Sequence, residues 1–175
     1  MIANLSSAKV TLVNWDDEHS ENTVLWLRDP QLQRDFGVTF AVSVAEHDAW
    51  RQRQNGLLAW AIVVDAKHIG NLLIFLNQRQ CSGYLQIYIG DAQFRGQGLG
   101  RYALELALEH AFSDLNLHRI WLHTFPENIR AERLYRSLGF MSEGRERMAF
   151  KGGDGKFKDQ VRWSILANEW FAMRA

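Results

Sequence analysis

The stretch Ile89-Gly90-Asp91-Ala92-Gln93-Phe94-Arg95-Gly96-Gln97-Gly98-Leu99-Gly100 decides how the rest of this chain is read. It carries an apolar strand pattern, ending at Ile89, into a long helical pattern that opens at Gly98. Gly96, Gly98 and Gly100 leave their backbone N–H groups unshielded by side chains. They fall at a helix mouth, where four N–H donors lack partners and the dipole is positive. That combination binds phosphate or pyrophosphate, and Arg95 adds a fixed charge with a forked donor set. A Walker loop is excluded, because no Lys and no hydroxyl follow the last glycine. A dinucleotide fingerprint is excluded because the third glycine comes at Gly100, one position early. What remains is Arg-x-x-Gly-x-Gly, from Arg95 to Gly100; on this stretch alone an ordinary glycine-rich turn stays open.

A second motif lies about thirty residues downstream: Asn128-Ile129-Arg130-Ala131-Glu132-Arg133-Leu134-Tyr135-Arg136-Ser137-Leu138-Gly139-Phe140. The first loop resembles the coenzyme A pyrophosphate loop of the GNAT superfamily of N-acetyltransferases. The second resembles that superfamily's Asn-x-x-Ala-x-x-Leu-Tyr-x-x-x-Gly-Phe signature, and the two come in the expected order and separation. Trp26 through Asp29-Pro30, the turn Gly155-Lys156-Phe157-Lys158-Asp159 and Glu169-Trp170 further resemble the RimJ/RimL-like branch.

With 175 residues the chain reads as one domain, 1–175, with enough length for a substantial core. Lys plus Arg, 20, balance Asp plus Glu, 20, so there is no global electrostatic case for nucleic acid. One cysteine, Cys81, forms no internal disulfide and points to a reducing, cytoplasmic compartment. No stretch approaches the ~18 apolar residues of a membrane helix, and Met1 to Asn14 lacks the apolar core of a signal peptide.

Hydrophobic periodicity gives the element order. Lys9 to Asn14 reads as a first strand, and Ser20 to Arg28 as a helix stopping before Asp29-Pro30. The capping box Ser43-Val44-Ala45-Glu46 starts a second helix reaching Gln54. Leu57 to Val64 and His68 to Asn77 form a hairpin, followed by a strand from Tyr84 to Ile89. Gly98 to Asp114 is a helix buried on most sides, with a narrow wet stripe at Arg101, Glu105 and Glu109. Arg119 to Phe125 is a strand; Asn128 caps the next helix, which Gly139 ends. Strands at Phe140 to Phe150 and Phe157 to Leu166 and a short tail helix close the chain. This order is a mixed α/β sandwich. The resemblance implies the GNAT fold, a mostly antiparallel mixed sheet flanked by helices.

The resemblance also implies acetyl-CoA as acyl donor and a primary amine as acceptor, joined by direct attack in a ternary complex. The acceptor is a small amine such as an amino sugar or polyamine, or the N-terminus of a protein. Arg95, Gly96, Gln97, Gly98, Leu99 and Gly100 hold the pyrophosphate. The backbone of Ile87, Tyr88 and Ile89 pairs with the pantetheine arm, which Asn128 also touches. Tyr135 is the general acid that protonates the leaving thiolate. Relatives often carry a Glu in the strand before the loop as base; Tyr84 stands there instead, so a water relay, or the imidazole of His123, is expected to take the amine's proton. Arg130, Arg133 and Arg136 read as a solvated face within reach of the phosphates. Asp16-Asp17-Glu18 reads as a surface turn that would attract a cation. The six His show no metal-ligand spacing, so no metal is expected. No membrane partner is expected, and a homodimer stays open. The rival is a non-catalytic acyl-CoA sensor, favoured by Tyr84 and opposed by Tyr135. The acceptor pocket is expected from the segment Asp16 to Gln54.

Overall fold

The computed structural model describes residues 3–37 and 43–175. Its frame is one eight-stranded sheet in the order β1-β2-β3-β4-β5-β6-β8-β7. The strands are β1 (Leu5–Ser6), β2 (Thr11–Asn14), β3 (Leu57–Val64), β4 (Lys67–Asn77), β5 (Ser82–Ile89), β6 (Arg119–Thr124), β7 (Met141–Lys151) and β8 (Phe157–Leu166). All neighbours are antiparallel except β5 and β6. The helices are α1 (Ser20–Leu27), α2 (Pro30–Phe36), α3 (Val44–Gln52), α4 (Leu99–Glu109), α5 (Ile129–Ser137) and α6 (Ala167–Ala172).

The period-2 alternation of side chains gives the sheet two working faces. On one, Leu12, Ile62, Leu72, Ile74, Leu85 and Ile120 meet Ala103, Leu104, Ala107 and Leu108 of α4, all buried. Each Leu or Ile side chain so buried contributes about 1.5–3 kcal/mol. The other face carries a smaller cluster, Trp26, Leu27, Leu32 and Tyr88, under α1 and α2. Gly90 makes this docking close, since a Cβ there would lie 2.0 Å from the Trp26 ring.

Three readings need correction. Asp29-Pro30 does more than end α1. The Asp29 side chain accepts the Gln31 N–H at 2.9 Å and Pro30 fills the first helical position, so the pair starts α2, which the element order omitted. The first strand begins at Thr11 rather than Lys9, because Ser7 Oγ accepts the Val10 N–H at 3.1 Å and holds Ser7 to Val10 in a turn that β1 precedes. The α4 helix widens to π geometry over His110–Asp114 before it ends. The proposed acceptor-wall segment also includes residues 38–42, which lie outside the described residues.

The feature that positions the site is a fork. β5 and β6 pair only from Ser82↔Arg119 to Tyr84↔Trp121. Beyond that point Leu85 to Ile89 keep β4 on one side. Among the described residues no strand pairs their other edge.

Candidate active site

The fork opens a cleft of about 560 Å³. Its walls are Tyr84 at the root of the fork, the free edge of β5 from Leu85 to Ile89, the loop ahead of α4, His123 to Phe125 at the end of β6, the α5 residues Ala131, Leu134 and Tyr135, and Leu32, Asp35 and Phe36 of α2. The residues singled out from the sequence for donor binding or proton transfer line it except Arg133, Arg136 and Gln97, the last of which donates its amide to Gln93 O at 2.6 Å.

The loop has the geometry its glycines demand. Gly96 and Gly98 sit at φ +78° and +77°, a region that costs other residues about 1–2 kcal/mol. A Cβ at Gly96, Gly98 or Gly100 would meet nothing within 4 Å, so the space above the loop is open. Among the described residues no acceptor takes the N–H groups of Gly96 to Gly100, the next bonded one being Arg101 N to Gly98 O at 3.0 Å. The Leu99 side chain is buried in the core, leaving its backbone to the cleft.

Arg95 is used differently from the sequence reading. Its Nε donates to Ile89 O at 2.9 Å and its Nη2 to Gly90 O at 2.7 Å. The same Nη2 lies 2.7 Å from Asp29 Oδ2. The fork of donors therefore braces the loop against β5 and the start of α2 instead of reaching outward. The Arg95 bond and the Gln31 N–H hold the Asp29 carboxyl below the usual carboxylate range. A group so lowered stabilises the fold above its unfolded pKa and loses that contribution as pH falls through the folded value. Asp29→Ala is expected to cost about 1 kcal/mol, the usual loss of an N-cap. The deficit should narrow as pH falls below 4, where wild type loses the same bond, and thermal melts of both proteins across that range measure it.

Asn128 caps α5, its Oδ1 accepting from Ala131 N at 3.1 Å, and its Nδ2 donates to Asp35 O at 3.4 Å, tying α5 to α2 across the cleft. Tyr135 is buried on α5, 5.4 Å ring to ring from Phe140. Among the described residues nothing hydrogen-bonds its hydroxyl, so it is not a core tyrosine with a satisfied partner. Burial, with the nearby Tyr84 adding to it, pushes its pKa up, so it holds its proton at neutral pH. Tyr88 contrasts with it. Asn71 Nδ2 donates to the Tyr88 hydroxyl at 2.7 Å, burial pushes the phenol up to about 12, and that side chain is structural.

Other assignments sort by contact. Arg130 lines the cleft, whereas Arg136 pairs with Glu132 at 2.9 Å and covers Trp163. Asp16, Glu18 and His19 lie close enough to share an ion, but they form a capping turn: Asp16 Oδ1 accepts Glu18 N–H, and the Asp16 N–H donates to His19 Nδ1 at 3.2 Å. Asp17 pairs with Arg51. The acidic run thus holds α1 and α3 and does not line the cleft. Leu32, Asp35 and Phe36 of the cleft wall fall inside the Asp16 to Gln54 segment expected to form the acceptor pocket, though the sequence singled out none of them, and Gln160, which a distant strand delivers, was missed.

Residues 9–141 match the family model described as acetyltransferase (GNAT) domain. The chain belongs to the GNAT acetyltransferase family. A spermidine N(1)-acetyltransferase of Vibrio cholerae serotype O1 is 36% identical over 98 residues, which cover 56% of this chain and 56% of that protein. The chain spans about half the length of the curated relatives it matches. The crystal structure of a Vibrio cholerae spermidine N-acetyltransferase in complex with CoA and spermine superposes with a TM-score of 0.86 at 24% identity, covering 94% of this chain and 99% of that one. RimL, a ribosomal alpha-N-protein acetyltransferase in complex with coenzyme A, superposes with a TM-score of 0.84 at 16% identity, covering 94% and 98%. Both establish likeness of fold. Among the described residues no helix is long and apolar enough to cross a membrane.

Proposed function

We propose that this protein is an acetyl-CoA-dependent N-acetyltransferase whose acceptor is a small primary amine of the polyamine class. The observation that carries it is a single cleft with unpartnered loop N–H groups toward one end and the unpartnered Tyr135 hydroxyl on its wall. The open space over Gly96, Gly98 and Gly100 fits a pyrophosphate, which the loop N–H groups would hold. The free edge at Ile87 to Ile89 fits an extended amide-bearing arm, added as a strand would be. Acetyl-CoA, when bound, supplies the activated acetyl thioester. Tyr135 would give its proton to the sulfur, and Asn128 would steady the arm beside it.

The polyamine choice rests on the names of the matched relatives. Asp35 is the one carboxylate among the cleft's described lining residues, against Arg95, Arg101 and Arg130. A RimJ/RimL-like descent, with a protein N-terminus as acceptor, is the second reading; the turn at Gly155 to Asp159 and Glu169-Trp170 favour it. The unpartnered Tyr135 hydroxyl favours an enzyme over an acyl-CoA sensor. A cytoplasmic site of action goes with the single exposed Cys81.

Thiol release from acetyl-CoA with spermidine, spermine, an amino sugar and an N-terminal peptide tests the proposal. Polyamines should be the fastest, while release with the peptide alone would reverse the order of acceptors. Donor binding is tested separately by melting. Acetyl-CoA at about 100 times its Kd should stabilise the fold by about 2.7 kcal/mol. A melting temperature unmoved by acetyl-CoA but raised by ATP would show that the loop serves another ligand.

A further inference from the structure

We propose that His123, held by Glu146, is the group that takes the proton from the acceptor amine. This rests on the acetyl-transfer reading above. An alkyl ammonium with a pKa near that of lysine, about 10.4, has no lone pair to attack with at neutral pH. Tyr84, where a glutamate is expected, does not serve: burial raises its phenol pKa, so it is already protonated.

Strand register brings His123 to the same place. Tyr84 pairs with Trp121, and His123 lies two residues further along β6, on the same face and beyond the fork. The Tyr84 and His123 rings are 5.8 Å apart, and both line the cleft with Tyr135. From the next strands over, His123 faces Arg162 of β8, its register partner, and Glu146 of β7. Glu146 Oε2 lies 3.0 Å from His123 Nε2, at ion-pair distance though off the alignment of a hydrogen bond. Arg162 Nη2 holds the other carboxylate oxygen, Oε1, at 2.6 Å, which fixes the carboxylate against the ring. The negative charge beside Nε2 favours the tautomer that carries its proton there, with Nδ1 as the ring's acceptor. Burial, with Arg162 adding to it, outweighs Glu146 and holds the imidazole below its ordinary pKa. The ring is therefore neutral at pH 7 and ready to accept.

The step balances. The ammonium gives one proton to His123 Nδ1, which later releases it to solvent. The freed nitrogen pair forms the C–N bond at the thioester carbonyl carbon as the C–S bond breaks and its pair goes to sulfur. Tyr135 donates its proton to that sulfur, and the second proton lost from the nitrogen restores the phenol.

The test is the pH profile of kcat/KM for spermidine in wild type, His123→Asn and Glu146→Gln. Wild type should lose rate on the acid side with an apparent pKa below 6.5. His123→Asn should fall by about 10²–10⁴ at pH 7 and lose that limb, its rate climbing instead toward the amine's own pKa. Glu146→Gln should keep the limb but move it to lower pH, because the carboxylate that favours imidazolium is gone. Acetyl-CoA affinity should be unchanged in both. NMR titration of the His123 ring in donor-free protein should give the same pKa as the kinetics and the same downward move in Glu146→Gln. A limb retained in His123→Asn, or a loss confined to the KM for amine, overturns the proposal. If spermidine is inert but another amine of the panel reacts, the polyamine reading falls and the same profiles on that amine decide His123. If no amine reacts, both fall.

Discussion

Tyr135→Phe is expected to lower turnover by about 10²–10⁴, the range for a positioned general acid, with the fold intact. The ring stays packed against Phe140 on the buried face of α5, so apolar burial is unchanged. No described residue bonds the hydroxyl, so its removal strands no donor or acceptor. Stability should change little, because the hydroxyl is not among the buried polar atoms that lack a partner and Tyr135 lines the cleft. A core tyrosine with a structural hydroxyl would show the opposite pattern, losing stability and keeping its rate. Acetyl-CoA affinity should change little, since the proton is needed only as charge develops on sulfur. The raised pKa of the phenol fits this role, keeping the proton in place at neutral pH until that moment. Turnover and melting temperature measured on one preparation separate the two patterns. Near-wild-type turnover, with chemistry shown to be rate-limiting, would remove Tyr135 from the reaction.

The parts of this site that were legible in the sequence are those whose reasons are local. Gly96 and Gly98 announce themselves because the left-handed turn disfavours side chains. Asn128 and Tyr135 are fixed by helix geometry, one as a cap and one by its spacing on the apolar face of α5. The fork was not legible. Nothing in the composition of β5 or β6 says that their pairing stops at Tyr84 and Trp121. Arg95 was recognised as a cation beside the loop, but its role depends on Asp29, brought in from α2 by tertiary packing. The Glu146 and Arg162 brace of His123 depends on β8 lying between β6 and β7, an order that sequence does not dictate for three consecutive strands. Asp29-Pro30 was legible and half read: its proline ends one helix and opens the next.

Substitutions at Gly100 are expected to separate binding from stability in opposite directions. Gly98→Val is the more obvious change, but it carries two effects. It blocks the loop, and it forces a β-branched residue to φ +77°, a strain of at least about 1–2 kcal/mol. Gly100 lies in the first turn of α4, outside that strained region, with open space where a Cβ would go. Gly100→Ala should therefore stabilise the helix, by up to about 1 kcal/mol on propensity. On the proposed binding mode the same methyl group would stand where phosphate oxygens approach the N–H groups, and Gly100→Val fills more of that space. Losing one hydrogen bond to a charged group costs about 1.5–3 kcal/mol, so acetyl-CoA affinity should fall by roughly 10-fold to 150-fold in Gly100→Val and by less in Gly100→Ala. A glycine kept only to make a turn predicts a higher melting temperature and unchanged affinity. Isothermal titration with acetyl-CoA, beside thermal melts of wild type, Gly100→Ala and Gly100→Val, distinguishes the two. A folded Gly100→Val protein that binds acetyl-CoA as tightly as wild type would place the donor's phosphates elsewhere.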